Sequence, residues 1–381
     1  LQQQQQHRIS LLQDAAMQPE WQQEEEQQQL LLSALLEDLQ QLIPSMRPRA
    51  VASCLWALSK LHQQQQQPLE LLQLLLHRAA HELGFSSFEP RQLCIIAYAL
   101  VQLQPQSAMH RASNHSSSSS RGGGGYQLYG PELLEHLFTA IAAGFGSCSA
   151  HDLAQAMYAV ARLRHVPPSG WLAAWLQRAH QLLPRFTSQG LANAAYGLSA
   201  VMWRAGLLTR ASSSSSSDGQ AVSPQQQQQQ QQLLAAARRW LQACLRVSLL
   251  HLPLLQPSEL FGELLWAAGK LRCPLPQPAG HHILLKTQTL LPACNAAHLS
   301  AALYCFARLR QAPTQSWLQV YWQRVGEVVE GLSALHLSRL LWAAAALELQ
   351  LPGSLTWRLR LRLKRLMAAA GGVRHVGECS G

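Results

Sequence analysis

Acidic residues are scarce here, and aspartate scarcest. Asp14, Asp38, Asp152 and Asp218 are the four in 381 residues, a poor inventory for catalysis, which needs polar groups converging in a pocket. No paired-carboxylate, G-x-S-x-G, P-loop or H-E-x-x-H signature is present. Eight cysteines occur, never spaced as CxxC, so neither a zinc ribbon nor a thioredoxin-type site is visible. Cys54, Cys94 and Cys305 fall in apolar helical stretches and read as small buried hydrophobes in a reducing compartment. No apolar run approaches the ~18 residues that a bilayer span needs, so the expectation is a soluble chain without membrane insertion. His77 and His81 stand one helical turn apart, but Glu82 follows rather than separates them and no third ligand is in view, so no metal is expected. Gly122 to Gly125 lacks the strand, spacing and lysine of a phosphate cradle and reads as linker. The chain is expected to be neither an enzyme nor a cofactor carrier, unless a catalytic domain lies outside it. It begins at Leu1 rather than Met and is read as a fragment.

Charged residues make up 13% of the chain, and that small set is lopsided: 30 Lys and Arg against 20 Asp and Glu give +10 and a pI near 9.5. Such a balance favours a polyanionic partner, although basic proteins that never touch nucleic acid are common. Gln, Ser and Gly runs interrupt stretches rich in Leu and Ala, which points to ordered helical blocks separated by segments unable to pack.

Self-similarity organises the rest. Seven segments align: AVASCLWALSKL, QLCIIAYALVQL, DLAQAMYAVARL, GLANAAYGLSAV, LFGELLWAAGKL, HLSAALYCFARL and HLSRLLWAAAAL. Each has one central aromatic: Trp56, Tyr98, Tyr158, Tyr196, Trp266, Tyr304 and Trp342. The intervals are 42, 60, 38, 70, 38 and 38, so the unit is 38 residues, and the long intervals are those containing the Ser/Gly and Ser/Gln runs. Apolar residues five before, two before, two after and five after the aromatic give the steps of three and four of an amphipathic helix. The residue after it is always small: Ala57, Ala99, Ala159, Gly197, Ala267, Cys305 or Ala343, which admits a neighbouring helix closely. Because the aromatics keep the period of the apolar stripe, they are expected in the core. Prolines such as Pro105, Pro168, Pro274, Pro313 and Pro352 end the stripe, and a second helix follows, clearest in PPSGWLAAWLQRAHQLL and PTQSWLQVYWQRVGEVV. Short helical pairs cannot bury their apolar faces alone, so the predicted fold is all-α, an α-solenoid of stacked hairpins with a 38-residue repeat. The expected organisation is a Gln-rich disordered segment at 1–30, repeats at 31–105, a Ser/Gly-rich insertion at 106–125, repeats at 126–208, a Ser/Gln-rich insertion at 209–232, repeats at 233–367 and a disordered tail at 368–381.

Two sets of polar positions bear on function. Four and six residues after the aromatic stand Lys60, Arg162, Arg164, Lys270, Arg272, Arg308 and Arg310. Stacked units would align them into a basic stripe matching phosphates, while the compatible alternative is that cations complement helix C-termini. The C-terminal WRLRLRLKRLM adds Arg358, Arg362 and Arg365 as further phosphate contacts or a solvated face. Three and six before the aromatic, chemistry varies: Ser53, Gln155, Asn193, Glu263 and Arg339, and Gln92, Asp152, His298 and His336. Variable tips on a repeated scaffold suit base-by-base readout of a single strand, and drift at exposed positions gives the same pattern.

Residues 165–201, HVPPSGWLAAWLQRAHQLLPRFTSQGLANAAYGLSAV, resemble the octotricopeptide repeat of green-algal organelle proteins, whose pattern runs PP, W, a Leu-rich helix, an LAN segment and a W/Y-A-L-A helix. The other units keep its spacing and aromatic, over about residues 45–367. The resemblance implies sequence-specific binding of single-stranded RNA in the chloroplast, alternatively the mitochondrion, controlling the stability, processing or translation of a transcript, with protein partners in a ribonucleoprotein complex. It is similar to the chloroplast translation factors of that family. Family members often carry a RAP module, and none is recognisable in these residues. The alternative is a protein-binding helical scaffold.

Overall fold

The computed structural model describes residues 31, 34–62, 69–103, 130–208, 223–277 and 279–375. The expected segment 1–30, insertion 106–125, residues 209–222 and residues 376–381 lie outside the described residues. After a helical lead-in over 34–42 come fourteen helices: α1 Pro48–His62, α2 Leu69–His77 with a wide π-type turn Arg78–Glu82, α3 Pro90–Gln102, α4 Pro131–Ala143, α5 Ala150–Arg162, α6 Ser169–Gln181, α7 Ser188–Arg204, α8 Pro224–Val247, α9 Leu265–Leu271 preceded by a π-type turn Ser258–Leu264, α10 Ala279–Leu290, α11 Ala296–Leu309, α12 Gln315–Glu327, α13 Ala334–Ala346 and α14 Gly353–His375. No strand occurs among the described residues. The seven aromatic-centred segments are the odd helices. Each odd helix packs on the next odd one along the whole row; most even helices pack on their own odd partner, and α4 packs on α6, α6 on α8, α10 on α12 and α12 on α14.

The same local devices recur along the odd helices. Nine residues before the aromatic sits an N-cap whose side chain accepts a backbone N–H three residues on: Ser149, Thr187, Asn295 and Ser333. This satisfies a donor that an open helix end leaves bare, worth ~1 kcal/mol. At the other end α5, α9, α11 and α13 close alike. The residue six after the aromatic is left-handed (Arg164 φ 58, Arg272 φ 49, Arg310 φ 54, Glu348 φ 55), and the next N–H reaches back to the carbonyl two after the aromatic: His165 to Val160, Cys273 to Ala268, Gln311 to Phe306, Leu349 to Ala344. That pair of features is a Schellman ending. Between the ends, the residues five before the aromatic, Val51, Leu93, Leu153, Leu191, Phe261, Leu299 and Leu337, are all at most 1% exposed.

Even helices are tied to odd ones by polar side chains. Cations donate to the carbonyl of the segment that leads into the odd helix of their own pair: Arg78 to Met46 at 3.3 Å, Arg178 to Cys148 at 3.3 Å, Lys286 to Pro253 at 3.2 Å, Arg324 to Cys294 at 3.0 Å and Arg362 to Leu332 at 3.0 Å. Four of these five stand twenty residues after the aromatic. A charged donor on a carbonyl contributes about 1.5–3 kcal/mol when shielded from water. Trp175 Nε1 donates to Leu153 O at 3.0 Å and the Tyr321 hydroxyl to Leu299 O at 2.9 Å, equivalent contacts in two pairs; Trp171 and Trp317 reach the preceding even helix, at Phe138 O and Thr287 Oγ1.

Two boundaries differ from the sequence reading. The Gln225–Gln232 tract is helical, forming the start of α8 behind a Ser223 cap, because Gln is a good helix former once an amphipathic segment continues it. Likewise α14 runs on to His375, past the expected end of the repeats at 367.

Candidate nucleic-acid interface

Helix geometry decides where the seven aromatics point. At about 100° per residue, positions five before, two before, two after and five after the aromatic cluster on the side opposite it. The structure agrees: Trp56 and Trp342 are 47% and 45% exposed, and Tyr98, Tyr158, Tyr196, Trp266 and Tyr304 are half-buried against the core's edge. The expectation that these rings form the core is therefore overturned. A shared period with the apolar stripe is not a shared direction. The fully buried large aromatics include Trp175, Trp240, Trp317 and Tyr321, all on even helices.

The rings instead form a ladder across the odd helices. Centroids lie 6.2 Å apart for Tyr98 and Tyr158, 6.1 Å for Tyr158 and Tyr196, 5.4 Å for Trp266 and Tyr304, and 5.1 Å for Tyr304 and Trp342. Lysines lie between further rings. Lys60 Nζ is 6.0 Å from the Trp56 ring and 5.8 Å from Tyr98, and Lys270 Nζ is 5.2 Å from Trp203 and 4.8 Å from Trp266. Arg162 lies 5.7 Å from the ring of Tyr158 on its own helix. Arg339 on α13 reaches over the Trp266 ring of α9 at 4.8 Å, passing α11, which sits between them in the row.

Residues three before and four after the aromatic share the ring's face, within about 60° of it. Ser53 and Lys60 are exposed there; Gln155, Asn193, Glu263, Arg339, Arg162, Lys270 and Arg308 are half-buried. Gln155 Oε1, Glu263 Oε2 and Arg308 Nε are buried without a hydrogen-bond partner. Burial pushes the Glu263 carboxyl up to about 7, helped by Glu259 and opposed by Arg162. Burial, then Arg339 and Arg308, push the Lys270 ammonium below its usual value.

The other expected positions hold structural posts. Six before the aromatic is the third residue of the helix. Asp152 accepts from Ser149 N at 2.9 Å and Ser149 Oγ at 2.7 Å, Gln92 from Glu89 N at 3.2 Å, and His336 Nδ1 from Ser333 N at 3.4 Å; the His298 backbone N–H is capped by Asn295 at 3.0 Å. These are capping boxes, so the side chains of Gln92, Asp152 and His336 close their own helix ends rather than present variable tips. Arg164, Arg272 and Arg310 are the exposed left-handed residues of the Schellman endings. Arg362 is committed to Leu332 O and Glu330, and Arg365 to Glu330 at 2.9 Å. Arg358 is exposed on α14. The His77 and His81 rings lie 5.0 Å apart, tilted by 40°, and His77 Nδ1 meets Glu82 at 3.3 Å.

The sequence reading missed the rings themselves and Trp203, 52% exposed beside Lys270. The angular offset of the aromatic from its stripe was the available signal. Among the described residues no helix is long and apolar enough to cross a membrane. No protein-family model matches this chain, and no curated protein matches it.

Proposed function

We propose that the chain is an α-solenoid of stacked helical hairpins with a 38-residue unit, and that it binds single-stranded RNA sequence-specifically along the aromatic face of its odd helices. In this reading it acts in post-transcriptional control of an organelle transcript, in the chloroplast or alternatively the mitochondrion. The observation that carries it is the alternation of rings and cations along one face, Trp56, Lys60 and Tyr98 at one end and Trp203, Lys270 and Trp266 further on. Rings offer each base a stacking surface worth about 1–3 kcal/mol, and cations beside them neutralise phosphates with release of counterions. The side chains three before the ring differ from unit to unit, Ser53, Gln155, Asn193, Glu263 and Arg339, and stand beside each stacking position where base edges could be read. Recurrent caps and Schellman endings support the repeat, and residues 165–201 support the octotricopeptide likeness.

Titration of labelled single-stranded RNA at several salt concentrations tests the reading. Affinity should fall linearly with the logarithm of salt concentration. No binding at low salt, or affinity indifferent to salt, contradicts it. Recovery of a protein partner that survives nuclease treatment would favour the scaffold alternative instead.

A further inference from the structure

The cations of the aromatic face are not evenly spread. Two of them converge on Trp266. Lys270 Nζ and the Arg339 guanidinium carbon each lie 4.8 Å from its ring centre, so two 4.8 Å legs hold the charges within about 10 Å of each other, roughly a Debye length in dilute salt. Lys270 is also held from the other side by Trp203 at 5.2 Å. Arg308 stands on the helix between those of Trp266 and Arg339, four residues after Tyr304, and its Nε is buried without a hydrogen-bond partner.

No carboxylate pairs with any of the three. Among the described residues, the ion pairs of His77, Arg78, His165, Arg324, Arg362 and Arg365 lie elsewhere. The charges around Lys270 that act on it most are Arg339 and Arg308, both of its own sign. Like charges brought together in a half-buried site repel, and among the described residues no carboxylate pairs with these cations to offset that repulsion. Cation–π contact with Trp266 and Trp203 compensates in part and restrains the ammonium from swinging into water. Such a site is arranged in advance for an anion, whose arrival would replace repulsion with charge-assisted hydrogen bonds. Tyr304 and the exposed Trp342 continue from Trp266 at 5.4 and 5.1 Å spacing, so an anion there has stacking rings beside it.

We propose that Lys270, Arg308 and Arg339 form a preorganised pocket for one phosphate group of a nucleotide, with its neighbouring bases stacked on Trp266, Tyr304 and Trp342. The pocket is the point at which the strand is gripped hardest. This inference rests on the RNA reading above and adds to it where along the face the affinity is concentrated.

The test uses the full chain with labelled single-stranded RNA carrying a 5′-hydroxyl or a 5′-monophosphate, in wild type and in the variants Arg339→Gln, Lys270→Gln and Lys60→Gln, each at several salt concentrations. Arg339→Gln and Lys270→Gln should each weaken binding at least about tenfold and reduce the salt slope by about one, with Lys60→Gln costing less. Without RNA, both variants should melt at or above the wild-type temperature, because a repulsive charge is gone; a merely structural role would lower it. A 5′-phosphate preference that disappears in Arg339→Gln assigns the pocket to the strand's end. Equal affinity for both RNAs, with the same loss in the variant, assigns it to an internal phosphodiester. If wild type binds RNA but Arg339→Gln and Lys270→Gln lose no more than Lys60→Gln, the pocket is wrong and the RNA reading stands. If wild type binds neither RNA at low salt, the RNA reading falls and takes the pocket with it.

Discussion

Trp175 on α6 and Trp342 on α13 are the same side chain in opposite circumstances. Trp175 is fully buried and donates its indole N–H to Leu153 O at 3.0 Å. Trp342 is 45% exposed and lies against Tyr304 at 5.1 Å. The contrast extends to other rings of both rows, with Phe306 on α11 fully buried and Trp357 on α14 66% exposed as exceptions. Even-helix rings sit between layers, where an unpaired polar atom is costly, and Trp171, Trp175, Trp317 and Tyr321 each find an acceptor, while Trp240 Nε1 is buried without one. Odd-helix rings sit on the far side of their own apolar stripe and keep company with Lys60, Arg162, Lys270 and Arg339. One row holds the molecule together, and the other offers a surface.

Substitutions can break that contrast. The largest expected effect is Trp175→Ala, which empties a closed site and removes the indole hydrogen bond to the Leu153 carbonyl; about 3–5 kcal/mol of stability should be lost, read by urea denaturation. Gly197→Ala comes next. A methyl there would come within 2.6 Å of Met157 O and 2.8 Å of Met157 C, both backbone atoms that move only with α5, so about 1–3 kcal/mol should be lost. Trp342→Ala should do the reverse of Trp175→Ala: a stability change under about 1 kcal/mol, but RNA affinity lower by about 1–3 kcal/mol in a binding titration. If Trp342→Ala unfolds the protein, the distinction between rows is wrong.

Two smaller effects sharpen the picture. The Glu263 carboxyl, pushed up to about 7 by burial, is more readily neutral in the folded chain than in the unfolded one. Its contribution is therefore fully present below about pH 4.5 and is lost as pH rises toward 7. Glu263→Gln should raise the melting temperature relative to wild type at pH 8 and leave it nearly unchanged at pH 4.5. Arg164→Gly relieves a left-handed side chain at φ 58, a strain of about 1–2 kcal/mol partly offset by the added freedom of glycine when unfolded. A net gain of about 0.5 kcal/mol is expected from denaturant melts.

Much of the architecture was legible in the sequence because it is written in local spacing. The apolar stripe, the small residue after the aromatic and the helix-ending prolines are near-neighbour signals, and Val51, Leu93 and Leu153 are buried as the stripe requires. The direction of the rings was equally legible but was read through period alone; counting angle would have turned Tyr98 and Tyr158 outward. Capping hid in plain composition. Asp152 and Gln92 looked like variable tips until the third helical position explained them. The ties made by Arg178, Arg324 and Arg362 were beyond local reading, since each donates to a carbonyl 30 residues away. The approach of Arg339 to Trp266 joins residues from two helices of the row that are not neighbours in it, which no single helix encodes.

Ultraviolet crosslinking of single-stranded RNA to the full chain, followed by mass spectrometry of the attached peptides, tests the central claim most directly. Adducts should fall on Trp56, Tyr98, Tyr158, Tyr196, Trp266, Tyr304 and Trp342, all on odd helices. Adducts confined to even-helix peptides such as those around Arg178 or Arg358, or none at all at low salt, would contradict it.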